Sequence, residues 1–274
     1  MWKLFGHHVW NDLRHGVIGQ WKKYAIACVV IAFICFQYLP VLEFAHQTGN
    51  VPLSFGDYLF YVLKGMAVIR PEEMDPEINV FWILYNFMIV FIVSYYPFKD
   101  LAGYGQQILL RSRKRSFWWL SKCIWAVACV VIYYLLTYCI ISIFVLFTGG
   151  NFSIFPNYSV QGINVLDMKD AGVLLLIGIA LPVAASVSLS LLQLVLSLIL
   201  KPILSIMIIL ALIVLSIFIC SDWAIGNYTM VARSSYMIAE GVDPTNGLII
   251  MGTLSVCSVL AGLFVFKRKN IFSH

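Results

Sequence analysis

Charge is what this chain has least of. Only 11% of its 274 residues are Asp, Glu, Lys or Arg, against 61% hydrophobic, and the mean hydropathy is +0.90. That leaves too little polar surface to solvate a globule of this length in water, so the chain reads as an integral membrane protein. Patterns that carry chemistry are missing as well. There is no GxxxxGK[ST] loop to cradle nucleotide phosphates and no HExxH, and the long apolar stretches contain no histidine and no internal Asp or Glu. Intramembrane metalloproteolysis needs metal ligands and a base at membrane depth, and proton-driven carriage needs buried carboxylates. These absences argue against both. The seven cysteines form no CxxC pair and fall in or beside the apolar stretches, which suits small, reduced packing residues. The first apolar run begins after about 23 residues with no small-residue cleavage site behind it, unlike a cleavable signal peptide.

What is present is a set of spanning segments. A membrane-crossing helix needs about 20 mainly apolar residues, and six stretches qualify: residues 24–42, 79–97, 123–148, 171–200, 202–220 and 247–266. The expected fold is an all-α membrane protein, one transmembrane domain over residues 1–274. Lys and Arg collect on the cytoplasmic side of spans. With both termini inside, the cytoplasmic segments hold 14 of the 18 basic residues and, of the 13 acids, only Asp12 and Asp100. The net charge of +5 therefore needs no nucleic acid to explain it.

Local patterns fill in the segments between. Over residues 1–23, Trp2, Phe5, Val9, Trp10, Leu13 and Val17 share one helical face, while Lys3, His7, His8, Asn11, Arg14 and His15 share the other. Such a helix is expected to lie in the cytoplasmic interface as an elbow. Adjacent histidines point about 100° apart on a helix, which disfavours a metal site there. In the first outer loop, Ser54 and Asp57 form a helix-start signature, followed by an apolar face of Phe55, Tyr58, Leu59, Val62, Leu63 and Met66. That predicts a short helix on the outer leaflet or dipping into it. Pro182, set among small residues near the centre of 171–200, predicts a kinked helix whose neighbours re-satisfy the freed carbonyl. The segment 221–246, too apolar for a loop and too interrupted for a span, predicts a re-entrant outer hairpin.

Polar groups inside the spans are few: Gln37, Tyr38, Tyr85, Asn86, Gln193, Ser205 and Ser216. Each can serve interhelical hydrogen bonding. Together, tyrosines, amides and serines without charge would suit a path for an amphipathic cargo. The largest polar structure expected on the inner face is residues 98–122, which include "GQQILLRSRKRSFWWLSK". If helical, Arg111, Arg115 and Lys122 stand within about 40° of one another, with Trp118 on the same arc. That face could meet lipid headgroups or an acidic protein groove, or simply hold the loop inside.

The elbow, the basic loop after the second span and the interrupted outer region before the sixth together resemble the type-2 ABC transporter permeases. The loop in that family commonly reads LLxRPxSRxxxxxxK. Here LLRSRKRSFWWLSK matches it at Leu109, Leu110, Arg111, Arg115 and Lys122 if one residue before the first Arg is dropped, and departs from it at Ser112 and Lys114. The resemblance implies that residues 98–122 form a coupling helix. Through Arg111, Arg113, Lys114, Arg115, Trp118 and Lys122, that helix would dock on a separate cytoplasmic ATPase. Two permeases, identical or close paralogues, would join two ATPase subunits that carry the ATP and Mg, and this chain would hold no catalytic, cofactor or metal site. The family's path runs along spans one, two and five, which nominates Gln37, Tyr38, Tyr85, Asn86 and Ser216. The implied role is export of amphipathic or hydrophobic peptides, such as toxins or antimicrobial peptides, across a bacterial cell membrane. Drugs or lipid-linked glycans remain as other cargoes, and a non-transporting sensor or scaffold remains as another class.

Overall fold

A computed structural model describes residues 2–40, 52–68, 78–101, 115–157 and 170–268. The described residues are helical, with two isolated backbone bridges, Ser54 to Asn151 and Ser234 to Val242, and no strand. Helix α1 spans Trp2–Gly16 and a 3-10 turn, Ile18–Gln20, joins it to α2, Trp21–Phe36. Then come α3 (Phe55–Leu63), α4 (Val80–Val93), α5 (Tyr96–Leu101) and α6 (Arg115–Phe147). Helix α7 (Ala171–Leu175) passes through a π turn, Leu176–Ala180, into α8 (Leu181–Ile199). Helix α9 (Pro202–Phe218), two 3-10 turns (Ile225–Thr229 and Val231–Arg233) and α10 (Pro244–Arg268) complete the order.

Five helical stretches are long and apolar enough to cross a membrane: Phe5–Phe36, Val80–Asp100, Ser116–Phe147, Ala171–Ile199 and Pro244–Phe266. Pro202–Phe218 is apolar and shorter, at 17 residues. The outer faces of these helices present Val29, Phe33, Met207, Phe218, Val256 and Leu260 to the surroundings, as a lipid-facing surface requires. The chain is a multi-pass helical membrane protein.

The local signals translate into structure with some changes. Ser54 and Asp57 form a reciprocal capping box at the start of α3: the Asp57 N–H donates to Ser54 Oγ at 3.1 Å, and the Ser54 N–H donates to the Asp57 carboxylate at 2.7 Å. The helix they start is enclosed by the bundle. Gly56, Asp57 and Phe60 are buried along with the apolar face, and α3 packs among α2, α4 and α6. Pro182, the second residue of α8, lacks an N–H to donate back into the preceding turn, and the chain widens there into the π turn. In place of a helical hairpin, residues 221–246 hold the two 3-10 turns and a small looped bridge at Ser234 and Val242.

Residues 115–122, expected in the loop, are the first two turns of α6, continuous with the third apolar stretch. The last helix closes on that same end. Trp118 stacks on Phe266 with ring centres 4.7 Å apart, and Trp119 Nε1 donates to the Val259 carbonyl at 2.9 Å. Gly262 makes this approach possible, because a Cβ there would sit 2.0 Å from the Trp119 ring. Gly262→Val is expected to lower stability by about 1–3 kcal/mol through overpacking, read as a fall in the thermal midpoint. An unchanged midpoint would show that α10 can step away from Trp119 freely.

Candidate functional site

Trp118, Ser121 and Lys122 lie on one face of α6 at spacings of three and four residues. The Lys122 side chain is fully buried, which is tolerable for an ammonium only when it is paired. It is paired twice, to Asp12 of α1 at 2.5 Å and to Asp100 of α5 at 2.7 Å. The rings of Tyr96 and Trp118 flank it at 4.6 and 5.0 Å. Asp12 also accepts from Ser121 Oγ at 2.6 Å and Tyr96 OH at 3.1 Å, and Asp100 accepts from Trp118 Nε1 at 2.9 Å. Two carboxylates therefore share one ammonium, and neutral donors hold the remaining negative charge. Helix α1, the end of the second apolar stretch and the start of the third meet at one charged junction.

This junction revises the expected coupling face. Arg111, Arg113 and Lys114 lie outside the described residues, and Arg115 is described only as the first residue of α6. Lys122 and Trp118 are in the interior, so neither stands on an outward docking surface. The chain does leave α5 one residue after Asp100 and re-enter at α6 seven residues before Lys122. Both ends of the basic segment are thus anchored to the same cluster. The elbow is revised likewise: His8, placed on the solvent face by its periodicity, is buried with Asp12 one turn on, while Trp10 is 64% exposed.

The nominated path residues separate. Gln37 is exposed, whereas Tyr38, Tyr85, Asn86 and Ser216 are buried within the chain's own bundle. Tyr38 packs against the rings of Tyr58 and Tyr61 at 5.5 and 4.4 Å. Tyr85 OH bonds Thr137 Oγ1 at 3.2 Å, and Tyr133 OH donates to the Tyr85 carbonyl at 3.0 Å. Ser216 Oγ donates to its own helix at Leu212 O, 2.9 Å away. Asn86 Nδ2 donates to the Trp82 carbonyl at 3.0 Å, while Gln193 Nε2 crosses from α8 to the Val90 carbonyl of α4 at 3.1 Å. Asn86 and Gln193 border one cavity of about 10 Å³, room for no more than a single water. Residues that share a cavity couple energetically. Asn86→Leu and Gln193→Leu are therefore expected to be non-additive by about 0.5 kcal/mol or more in thermal unfolding, and strict additivity would separate them.

Sequence reasoning missed the most heavily bonded side chain of the other end of the molecule. Arg233 is 1% exposed, and all five of its N–H groups are used. Nε donates to Met66 O at 3.0 Å. Nη1 donates to Ser216 O and, at 2.8 Å, to Asn227 Oδ1. Nη2 donates to Ala67 O at 3.2 Å and Ile217 O at 2.6 Å. Ser216 and Ile217 belong to the last turn of α9, where carbonyls lack helical partners and the helix dipole favours a cation. Among the described residues no carboxylate pairs with Arg233. Burial lowers its pKa from the ordinary value, yet a guanidinium stays protonated. The available signal was one cation within the apolar run "NYTMVARSSYM".

A family model described as "Protein of unknown function (DUF2705)" matches residues 59–272. No curated protein and no solved structure matches the chain.

Proposed function

The chain belongs to the DUF2705 family, and we propose that this member is the permease subunit of an ATP-driven exporter in a bacterial cell membrane. It would move amphipathic or hydrophobic peptides. In this reading Pro202–Phe218 is a sixth span, about 26 Å long at 1.5 Å per residue and at the short end of the spanning range. Both termini are cytoplasmic and α1 is the elbow. The observation that carries the reading is the junction of Lys122 with Asp12 and Asp100. A separate cytoplasmic ATPase that pulled on residues 102–114 would pull on Asp100 from one end and on α6 from the other, and through Asp12 on α1. Force on one loop would reach the first three spans together. Two such chains and two ATPase subunits, with ATP and Mg in the latter, would form the transporter.

The path in this reading runs between two copies, so the groups that line it are those facing out of each bundle. Gln37 fits that position. The buried tyrosines and Asn86 set the shape of the wall from behind. The absence of charge from the middle of the spans favours a cargo that supplies its own apolar surface, since a charge at the centre of a span costs about 2.5–3.5 kcal/mol on insertion scales.

Charge reversal at Arg111 and Arg115 tests the reading. The double variant is expected to insert normally, because the other basic residues of the inner segments preserve topology, and to lose ATPase co-purification or export. Unchanged association and unchanged export would refute the coupling assignment. A protein that functioned as a scaffold would retain its partner without hydrolysing ATP.

A further inference from the structure

A cavity of about 820 Å³ opens between α1, the 3-10 turn that follows it, and the start of α5. Its walls include Asn11, His15 and Gln20 on one side and Tyr95 and Lys99 on the other, with Lys23 between. Lys23 is held in place: its ammonium donates to the carbonyls of Phe91 and Ile92 at 2.9 and 3.2 Å, at the end of α4. An ammonium has three N–H donors, so one remains for a ligand. Asp100 also borders the cavity, but its carboxylate is engaged by Lys122 and Trp118. What the cavity offers is therefore a basic lining.

The surroundings favour a lipid over a soluble anion. Ile18 and Trp21, beside Gln20, are 68% and 63% exposed, and Tyr95 on the facing wall is 53% exposed. These apolar and aromatic groups stand where spanning helices end, as interfacial residues do. We propose that this cavity binds the headgroup of an anionic glycerophospholipid. The phosphate sits among Lys23, Lys99 and His15, and the acyl chains leave over Ile18 and Trp21. The bound lipid would brace the elbow against the end of the second span, whether or not the chain transports anything.

The test uses the full chain purified in mild detergent, with retained lipid measured by native mass spectrometry. Phosphatidylglycerol is expected to be retained about tenfold more strongly than phosphatidylcholine. Lys99→Gln, at an exposed position that leaves the fold intact, is expected to cut that retention about fivefold, the equivalent of ~1 kcal/mol per basic group at an anionic lipid surface. Lys99→Gln with His15→Gln is expected to abolish the preference. Equal retention of the two lipids by the wild-type chain would overturn the proposal, as would a Lys99 and His15 double variant with its preference intact. Displacement of the lipid by millimolar water-soluble glycerophosphoglycerol would also overturn it, by making this a site for soluble anions.

Discussion

Lys122→Met is expected to destabilise the protein by about 3 kcal/mol or more, a fall on the order of 10 °C in the thermal midpoint. The substitution preserves much of the side-chain volume and removes the ammonium, with its charge and its N–H donors. It leaves Asp12 and Asp100, both pulled in by the same ammonium, as one buried and one half-buried carboxylate without a cation. Adding Asp12→Asn and Asp100→Asn should recover most of the loss, because a buried ionic cluster replaced as a whole by neutral groups is often close to neutral in stability. The ordering separates a true ion triad from simple packing. If the single and triple variants melted together, the charges would have no part in holding α1, α5 and α6 to one another. A thiol-reactive dye suits the measurement, since Cys35, Cys123 and Cys129 are free and buried in the folded chain.

The second large effect is expected at Arg233. Its five donors satisfy five acceptors from three separate segments. Lysine carries three donors on a flexible stem and cannot reproduce the planar fork. Arg233→Lys should therefore leave at least two acceptors unmet and cost about 2–6 kcal/mol, at about 1–3 kcal/mol for each buried group left unsatisfied. Arg233→Met, which abandons all five, should cost more and release residues 225–233 first. Hydrogen exchange would locate the effect: faster exchange confined to residues 64–68 and 216–233 in Arg233→Lys is the expected pattern. Uniform loss of protection would mean that Arg233 holds the whole bundle and not this corner of it.

How far the sequence foretold these features depended on distance along the chain. The capping box at Ser54 and Asp57 was legible because its partners are three residues apart. That residues 2–16 form a helix was legible, but not its roll: counted by residue type, His8 belongs with the solvent face, yet it is buried beside Asp12 one turn on, which pairs with a lysine 110 residues away. A clue was present in the charge count, since Asp12 and Asp100 are the two acids in the segments assigned to the cytoplasm and both converge on Lys122. Nothing in their spacing announced the meeting. The basic loop reads as one surface by composition, yet its last two turns continue into α6, because Trp118, Trp119 and Lys122 find partners inside. Of the nominated path residues, polarity within an apolar stretch identified groups that need hydrogen bonds and said nothing of which side supplies them. Tyr85, Asn86 and Ser216 find them within the chain's own helices.

The central claim is that residues between Asp100 and Lys122 receive force from an ATPase. A photoreactive amino acid at position 113, within the basic segment, tests it most directly when activated in native membranes. The account predicts one dominant adduct, to a cytoplasmic ABC ATPase subunit, lost when Arg111 and Arg115 are reversed in charge. Adducts formed only with lipid, with this chain itself or with a protein that hydrolyses no ATP would contradict it.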